Sequence, residues 1–337
     1  MQTASNTQAA IDVSHSPMVS VIMPAYRVTK YIGEAVTSVL NQTFTDYEVF
    51  IINDGSPDTA ELERTLSPFR NRIRYLSQSN AGCSAARNAA IRQARGKYIA
   101  LLDGDDLWEP DYLAVQVEIM EGNPSIDVLY PNAWIFGDTH DVGKTFMEVT
   151  PSCGEVTTEA LITQRCTVMI SVTAKRETVV RAGMFDERLL GSEDFDLWLR
   201  ILHCGGHIAY HCRSLVHYRR RPDSMSADPV RMCQQILRVL KSAEARDGLT
   251  ENELEALRLQ IRRFRALTML YEGKRDLSEG NIVSATAKFQ EANTFLKSSK
   301  IRLALIVLRT APRLLMSAYK LRNRFSTGKL SQDMTYS

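Results

Sequence analysis

The chain has 337 residues, 44% hydrophobic, 24% charged and 8% aromatic, with 17 Gly and 11 Pro, which excludes a disordered, collagen-like or disulfide-stapled polypeptide. That length predicts one large domain with a smaller appendage, or two modest domains. The 41 Lys and Arg nearly balance 39 Asp and Glu, a net charge of +2, so no whole-molecule field favours nucleic acid as a partner.

Residues 1–17, MQTASNTQAAIDVSHSP, carry neither a basic n-region nor an apolar run, and are expected to be a disordered leader rather than a secretory signal. Val19 to Tyr26 reads as a short β-branched strand, and Tyr31 to Leu40 places Ile32, Ala35, Val36, Val39 and Leu40 at helical spacing. The alternation returns with Tyr47 to Ile52 before a helix after Asp58. Ile73 to Leu76 then precedes a helix at Ala85 to Ala94, and Tyr98 to Leu102 precedes one after Pro110. Such βα succession predicts an α/β fold with a mostly parallel sheet covered on both faces, whose ligand lies beyond the carboxyl ends of the strands.

Strand-like stretches at Ile126 to Phe136, Val168 to Thr173 and His207 to Tyr218, with a helix at Phe195 to His203, are expected to complete the sheet. Beyond Ser224 the periodicity turns helical over Val230 to Glu244, Glu251 to Tyr271, Ile282 to Ala292 and Ile301 to Leu321. The expected organisation is therefore a leader at 1–17, an α/β domain at 18–226 and a helical region at 227–337. Within the last, Gly273, Gly280, Ala285, Phe289 and Ala292 have the spacing of one tetratricopeptide-like hairpin, too little for a solenoid.

The strand ends are chemically pointed: Pro24-Ala25-Tyr26, Asn53-Asp54-Gly55-Ser56, Asn80-Ala81-Gly82 and Asp103-Gly104-Asp105-Asp106. Each alone is also a good turn or cap, but four at successive strand ends favour a nucleotide-and-metal site. Asp103, Asp105 and Asp106 offer hard oxygen ligands suited to Mg²⁺ or Mn²⁺, and Gly104 would let the backbone approach the ligand. Gly191-Ser192-Glu193-Asp194 opens a helix; its carboxylates either cap the helix dipole or face the metal site, with Asp194 as candidate general base. His217-Tyr218-Arg219-Arg220-Arg221 follows the last strand: a solvated basic turn, or guanidinium groups for a diphosphate, with His217 a further candidate metal ligand. Six cysteines at 83, 153, 166, 204, 212 and 233 form no C-x-x-C pair, which argues against a zinc knuckle and for a reducing compartment.

Taken together, VSVIMPAYRVTKYIGEAVTSVLNQTFTDYEVFIINDGSPD, NAGCSAARNAAIRQARGKYIALLDGDD, GSEDFDLWLRI and HYRRRPDSMS resemble glycosyltransferase family 2, the inverting nucleotide-sugar transferases of GT-A fold, in order and spacing over residues 18–226. The resemblance implies that Pro24, Ala25, Tyr26 and Asp54 hold the base and ribose, with Gly82 and Arg87 on the donor side. Asp103 and Asp105 fall on the D-x-D motif for metal and diphosphate, with Gly104 between them. Asp194 falls on the general-base position beside Glu193, and Arg219 and Arg221 on a late diphosphate loop where the family commonly has His instead of Arg221. The implied activity is inverting transfer from a nucleotide sugar, a UDP-sugar by family frequency, to a glycan or lipid-linked hydroxyl. A sugar nucleotidyltransferase would normally show a Gly-rich run after the first strand, absent after Val19 to Met23. The third alternative is a catalytically weak nucleotide-sugar-binding subunit.

Between Glu291 and Asp333 there is no acidic residue, while Lys297, Lys300, Arg302, Arg309, Arg313, Lys320, Arg322, Arg324 and Lys329 punctuate apolar sequence. The basic amphipathic helix expected near 300–325 would suit an anionic membrane surface; packing on the catalytic domain, or a homodimer seam, is the competing account. The run Leu303 to Leu308 between Arg302 and Arg309 falls far short of the roughly 20 residues of a bilayer span. The protein is accordingly expected in the cytoplasm, on the inner face of the cell membrane if the helix binds there.

Overall fold

The computed structural model describes residues 16–224 and 227–312. The leader expected over 1–17 lies outside them but for Ser16 and Pro17, as does the part of the basic helix expected beyond Pro312. Strand β1 (Val19–Ala25), α1 (Thr29–Leu40), β2 (Tyr47–Asp54), α2 (Thr59–Leu66), β3 (Arg74–Gln78), α3 (Cys83–Ile91) and β4 (Tyr98–Leu101) follow one another as the periodicity predicts. After them come β5 (Leu107–Trp108), α4 (Tyr112–Gly122), β6 (Val128–Gly137), α5 (Phe146–Val149), α6 (Thr158–Ile162), β7 (Thr173–Lys175), α7 (Arg176–Arg181), α8 (Glu193–His203) and β8 (Ile208–Arg220).

Among the described residues these strands form one sheet in the order β3-β2-β1-β4-β7-β6-β8-β5. Strands β1 to β4 are parallel, with Val19 opposite Tyr47 and Tyr98. Their apolar runs are buried on both faces: Val21, Ile22, Met23, Phe50, Ile51 and Ile52 are fully enclosed, as a sheet between helix layers requires. Strand β7 then runs antiparallel to both β4 and β6, and β8 runs parallel to β6. Two reversals restore the original direction, so β8 ends at the same sheet edge as β1 to β4. The strand expected at Val168 to Thr173 is displaced: pairing starts only at Thr173 and runs through Lys175.

The helical region comprises α9 (Pro229–Glu244), α10 (Glu251–Glu279), α11 (Ile282–Leu296) and α12 (Ser299–Thr310). Helix α10 runs eight residues past the expected Tyr271, to Gly280, whose φ of +92° closes it; that left-handed conformation suits glycine. Helix α11 turns back on it, and a Cβ at Gly273 would stand 2.8 Å from the Phe289 ring, so that glycine sets the helix approach. Helix α12 stops at Thr310, before Pro312, which has no N–H to continue the ladder. The core is continuous from Val19 through Phe264 and Phe289 to Leu308.

Asp196 of α8 is the charged link between the two parts: its carboxylate, 3% exposed, accepts from Arg200 Nε at 2.8 Å and from Arg246 Nη2 beyond α9 at 2.6 Å. Asp196→Ala leaves both guanidinium groups without this partner and is expected to lower stability by roughly 1.5–3 kcal/mol, read from urea unfolding; a change below roughly 0.5 kcal/mol would mean that the link is ornamental.

Candidate active site

One polar cluster forms at the common sheet edge. The loop after β4 carries Asp103, Gly104, Asp105 and Asp106; α3 carries Arg87; the start of α8 carries Glu193 and Asp194; the end of β8 carries Arg219 and Arg221. Arg87 is 3% exposed and holds two carboxylates at once: Nη2 donates to Asp103 Oδ1 at 2.7 Å and Nη1 to Glu193 Oε1 at 2.6 Å. Guanidinium geometry permits such a two-sided fork where an ammonium would not. The Asp103 side chain remains 32% exposed, whereas that of Glu193 is 9% exposed.

Asp105 lies beside Arg221, with Oδ2 2.9 Å from Nε. Burial, with Asp103 adding to it and Arg221 opposing it, pushes the Asp105 carboxyl up to about 6. Asp106 turns inward: it is 1% exposed, Oδ1 accepts from the Arg219 backbone N–H at 2.8 Å, and Oδ2 has no hydrogen-bond partner among the described residues. Asp106 is thus a joint between the loop and β8, not the third exposed ligand suggested by its position in the sequence. Arg219 is held at further points, with Nε on the Asp105 carbonyl at 2.7 Å and Nη2 on Glu34 at 2.9 Å. Its guanidinium is 4.6 Å from the Tyr31 ring centre and 4.3 Å from that of Phe136, so cation–π contact fixes its plane.

Asp194 is half-buried at the first turn of α8, after Ser192 in the left-handed conformation (φ 55°, ψ 25°). A non-glycine residue there costs of order 1–3 kcal/mol, so the turn that presents Glu193 and Asp194 is maintained by the packing around it. Burial and the neighbouring Glu193 charge push the Asp194 carboxyl up to about 7, against a backbone N–H from Phe195 to Oδ1 at 2.8 Å.

The residues expected on the nucleotide side lie at or beside the ends of β1 and β2. Tyr26, 41% exposed, follows Pro24 and Ala25 just beyond the end of β1. Asp54 is buried, and its carboxylate accepts from the backbone N–H of Ala81 and of Gly82, both at 2.9 Å, and from Gln78 at 2.8 Å. Asp54 therefore shapes the β3–α3 loop in addition to any contact with a base. Gly82, at φ +91°, has nothing within 4 Å of a built Cβ and faces open space. At Gly104 a Cβ would stand 3.0 Å from the Pro24 carbonyl oxygen, Ile32 and Val28, so this glycine lets the acidic loop pack on the β1–α1 corner. His217 is not brought to Asp103 and Asp105. Its Nε2 is 2.7 Å from Glu109 Oε1, across the β5–β8 pair.

The two carboxylates left accessible fit a divalent ion of the Mg²⁺ class. Such ions bind through one or two carboxylates plus substrate phosphates and water rather than in a protein cage, and among the described residues no ready group of three or more His, Cys, Asp or Glu ligands occurs. Tyr31, Glu34 and Phe136 escaped sequence reading. The only signal for the first two was their i, i+3 spacing on α1.

The model of the glycosyl transferase family 2 matches residues 20–173. An Escherichia coli protein named UDP-Glc:alpha-D-GlcNAc-diphosphoundecaprenol beta-1,3-glucosyltransferase WfgD is 31% identical over 63% of this chain and 80% of its own. An uncharacterized Rickettsia bellii glycosyltransferase is 32% identical over 55% of this chain but only 27% of its own length; the chain spans about a quarter to two thirds of the first curated relatives it matches. Among solved structures, Staphylococcus aureus TarS 1–349 in complex with UDP-GlcNAc superposes with a TM-score of 0.60 at 18% identity, over 91% of both chains. Mannosyltransferase PcManGT from Pyrobaculum calidifontis, in complex with GDP-Man and Mn2+, gives 0.60 at 17% over 93% of this chain and 88% of that one. The fold is of GT-A type with a helical C-terminal region, and the chain belongs to glycosyltransferase family 2.

Replacing Arg87 by Met strands a buried Glu193 carboxylate, and a loss of about 3–5 kcal/mol is expected. The same change at Arg92, whose pair with Glu187 is 56% and 45% exposed, should cost about 0–1 kcal/mol. Chemical denaturation of the two variants checks the contrast.

Proposed function

We propose that the protein transfers a sugar from a nucleotide-sugar donor, a UDP-sugar by preference, to a hydroxyl of a glycan or lipid-linked acceptor, inverting the anomeric centre. The observation that carries this reading is the Arg87 bridge, which ties the Asp103 loop to the helix start bearing Asp194. UDP appears in the name of WfgD and in the TarS complex, and the lipid diphosphate in the WfgD name supports a membrane-borne acceptor.

In this mechanism Asp194 accepts the proton of the acceptor hydroxyl as its oxygen attacks the anomeric carbon. The bond from that carbon to the diphosphate oxygen breaks, and its electron pair leaves with the nucleoside diphosphate. A carboxylate pushed up to about 7 is matched to this task, because a base is most effective when its pKa lies near the working pH. Asp103 and Asp105 would hold Mg²⁺ or Mn²⁺, which as a Lewis acid offsets charge on the departing diphosphate. Arg219 and Arg221 bring positive charge to the same group, and Tyr26 offers an aromatic face to the base. Pro24, Ala25 and Asp54 frame that pocket.

For location, among the described residues no helix is long and apolar enough to cross a membrane. Helix α12 packs Ile301 and Leu308 inward and leaves Leu303 and Ile306 62% and 59% exposed, flanked by Lys300, Arg302 and Arg309. That pattern suits contact with anionic lipid. In vesicle flotation, Leu303→Ser/Ile306→Ser should reduce recovery with phosphatidylglycerol vesicles several-fold; equal recovery would remove the membrane reading and leave protein packing or a homodimer.

Release of nucleoside diphosphate from a panel of nucleotide sugars, with and without Mn²⁺, tests the activity. One donor should be consumed in a metal-dependent way, Asp105→Ala should abolish turnover, and Asp194→Asn should lower kcat by roughly 10²–10⁴-fold while donor still binds. Because Asp194 acts deprotonated, kcat/KM should fall about tenfold per unit below a pH near 7 and level off above it. Donor binding without turnover, even with acceptor supplied, would favour a binding subunit; no donor binding would end the proposal.

A further inference from the structure

Arg219 and Arg221 both reach the acidic loop, but they are held differently. Arg219 is anchored by its own backbone, by the Asp105 carbonyl, by Glu34 and between two aromatic rings. Arg221 lies one residue beyond the end of β8, followed by Pro222. Its side chain is 13% exposed, with Nε 2.9 Å from Asp105 Oδ2, whereas the Asp223 carboxylate, 3.6 Å away, is 73% exposed. The guanidinium lies 5.2 Å from the centre of the Tyr31 ring, which also has the fixed Arg219 at 4.6 Å and Lys30 Nζ at 5.6 Å. The principal partner of Arg221 is thus the same carboxylate that the proposed function gives to a divalent ion.

We propose that Arg221 is an exchangeable counter-ion: it holds Asp105 in the free protein and turns to the donor's diphosphate when a divalent ion takes that carboxylate. This rests on the donor and metal reading given above. Burial explains the first half. A carboxylate 15% exposed needs a cation beside it, and the guanidinium supplies one without metal. Exclusion explains the second half, because a guanidinium and a divalent ion in contact with one carboxylate oxygen repel each other across a poorly solvated gap. Arg221 cannot yield by losing its proton, since a guanidinium stays charged at any working pH; it can leave only by competition. The diphosphate provides the replacement: Arg221 Nε lies near Asp105 Oδ2 without a hydrogen bond, and diphosphate oxygens can pair with the guanidinium fork of N–H groups.

Such exchange couples two ligands. Metal alone must displace Arg221 into a site with no new partner, and nucleotide alone meets an Arg221 already engaged, so each strengthens the other by the same factor. Titration calorimetry of Mn²⁺ alone, UDP alone and UDP with saturating Mn²⁺ reads that factor in the wild-type chain, Arg221→Gln and Arg221→Lys. Arg221→Gln is expected to bind Mn²⁺ alone about tenfold more tightly and UDP with Mn²⁺ about tenfold more weakly. Arg221→Lys, which keeps the charge but loses the fork, should fall between, and it preserves the comparison if the Gln variant does not fold. Unchanged or weaker Mn²⁺ affinity in the variants overturns the exchange, and weaker UDP binding alone would make Arg221 a plain phosphate ligand. Wild-type UDP binding indifferent to Mn²⁺ overturns the exchange while leaving the donor reading. A wild-type chain that binds neither Mn²⁺ nor UDP ends both.

Discussion

A single buried guanidinium organises this molecule. Arg87 sits between Asp103, from the loop after β4, and Glu193, from the first turn of α8, two segments some ninety residues apart in sequence and joined at 2.7 and 2.6 Å. Neither carboxylate could be brought so close to the other without a cation between them, because like charges in a poorly solvated site repel strongly. The sheet edge would otherwise be only a row of loops. With Arg87 in place, the head of α8 is tied to the acidic loop, and Asp194 is presented where burial and the adjacent Glu193 charge keep its proton affinity high.

The same logic extends outward in layers of decreasing rigidity. Asp106 gives its carboxylate to the β8 backbone, so the loop and the last strand are one unit. Arg219 is then fixed by three groups and two rings, and Arg221, just beyond the strand, keeps one close carboxylate and one solvent-exposed one. Of the two arginines, Arg219 is the more restrained and Arg221 the less. On the far side of α8, Asp196 binds Arg246, so the helical region is anchored to the helix that opens with Glu193 and Asp194.

Much of this was legible in the residues themselves. β1 to β4 and their helices follow from period and turn chemistry, and the four pointed strand ends do meet at one edge. Less legible were features that depend on where chains far apart in sequence meet. The irregular β6–β8 pairing, where Tyr130 faces Tyr210 but Asn132 faces Ser214, has no local signature. The short strand β7 at Thr173–Lys175 owes its position to partners on both sides. His217 read as a ligand in a basic run, yet β5 places Glu109 against it.

The sequence by itself determined the alternation of strands and helices, the family, and which residue types stand at the strand ends, because periodicity, caps and turns are local properties. Only the tertiary structure decided which charge meets which. Asp103, Asp105 and Asp106 are near neighbours in sequence, but one faces Arg87, one Arg221 and one the backbone of Arg219. Burial and pairing depend on the surroundings of each oxygen, and those surroundings exist only after the sheet has closed.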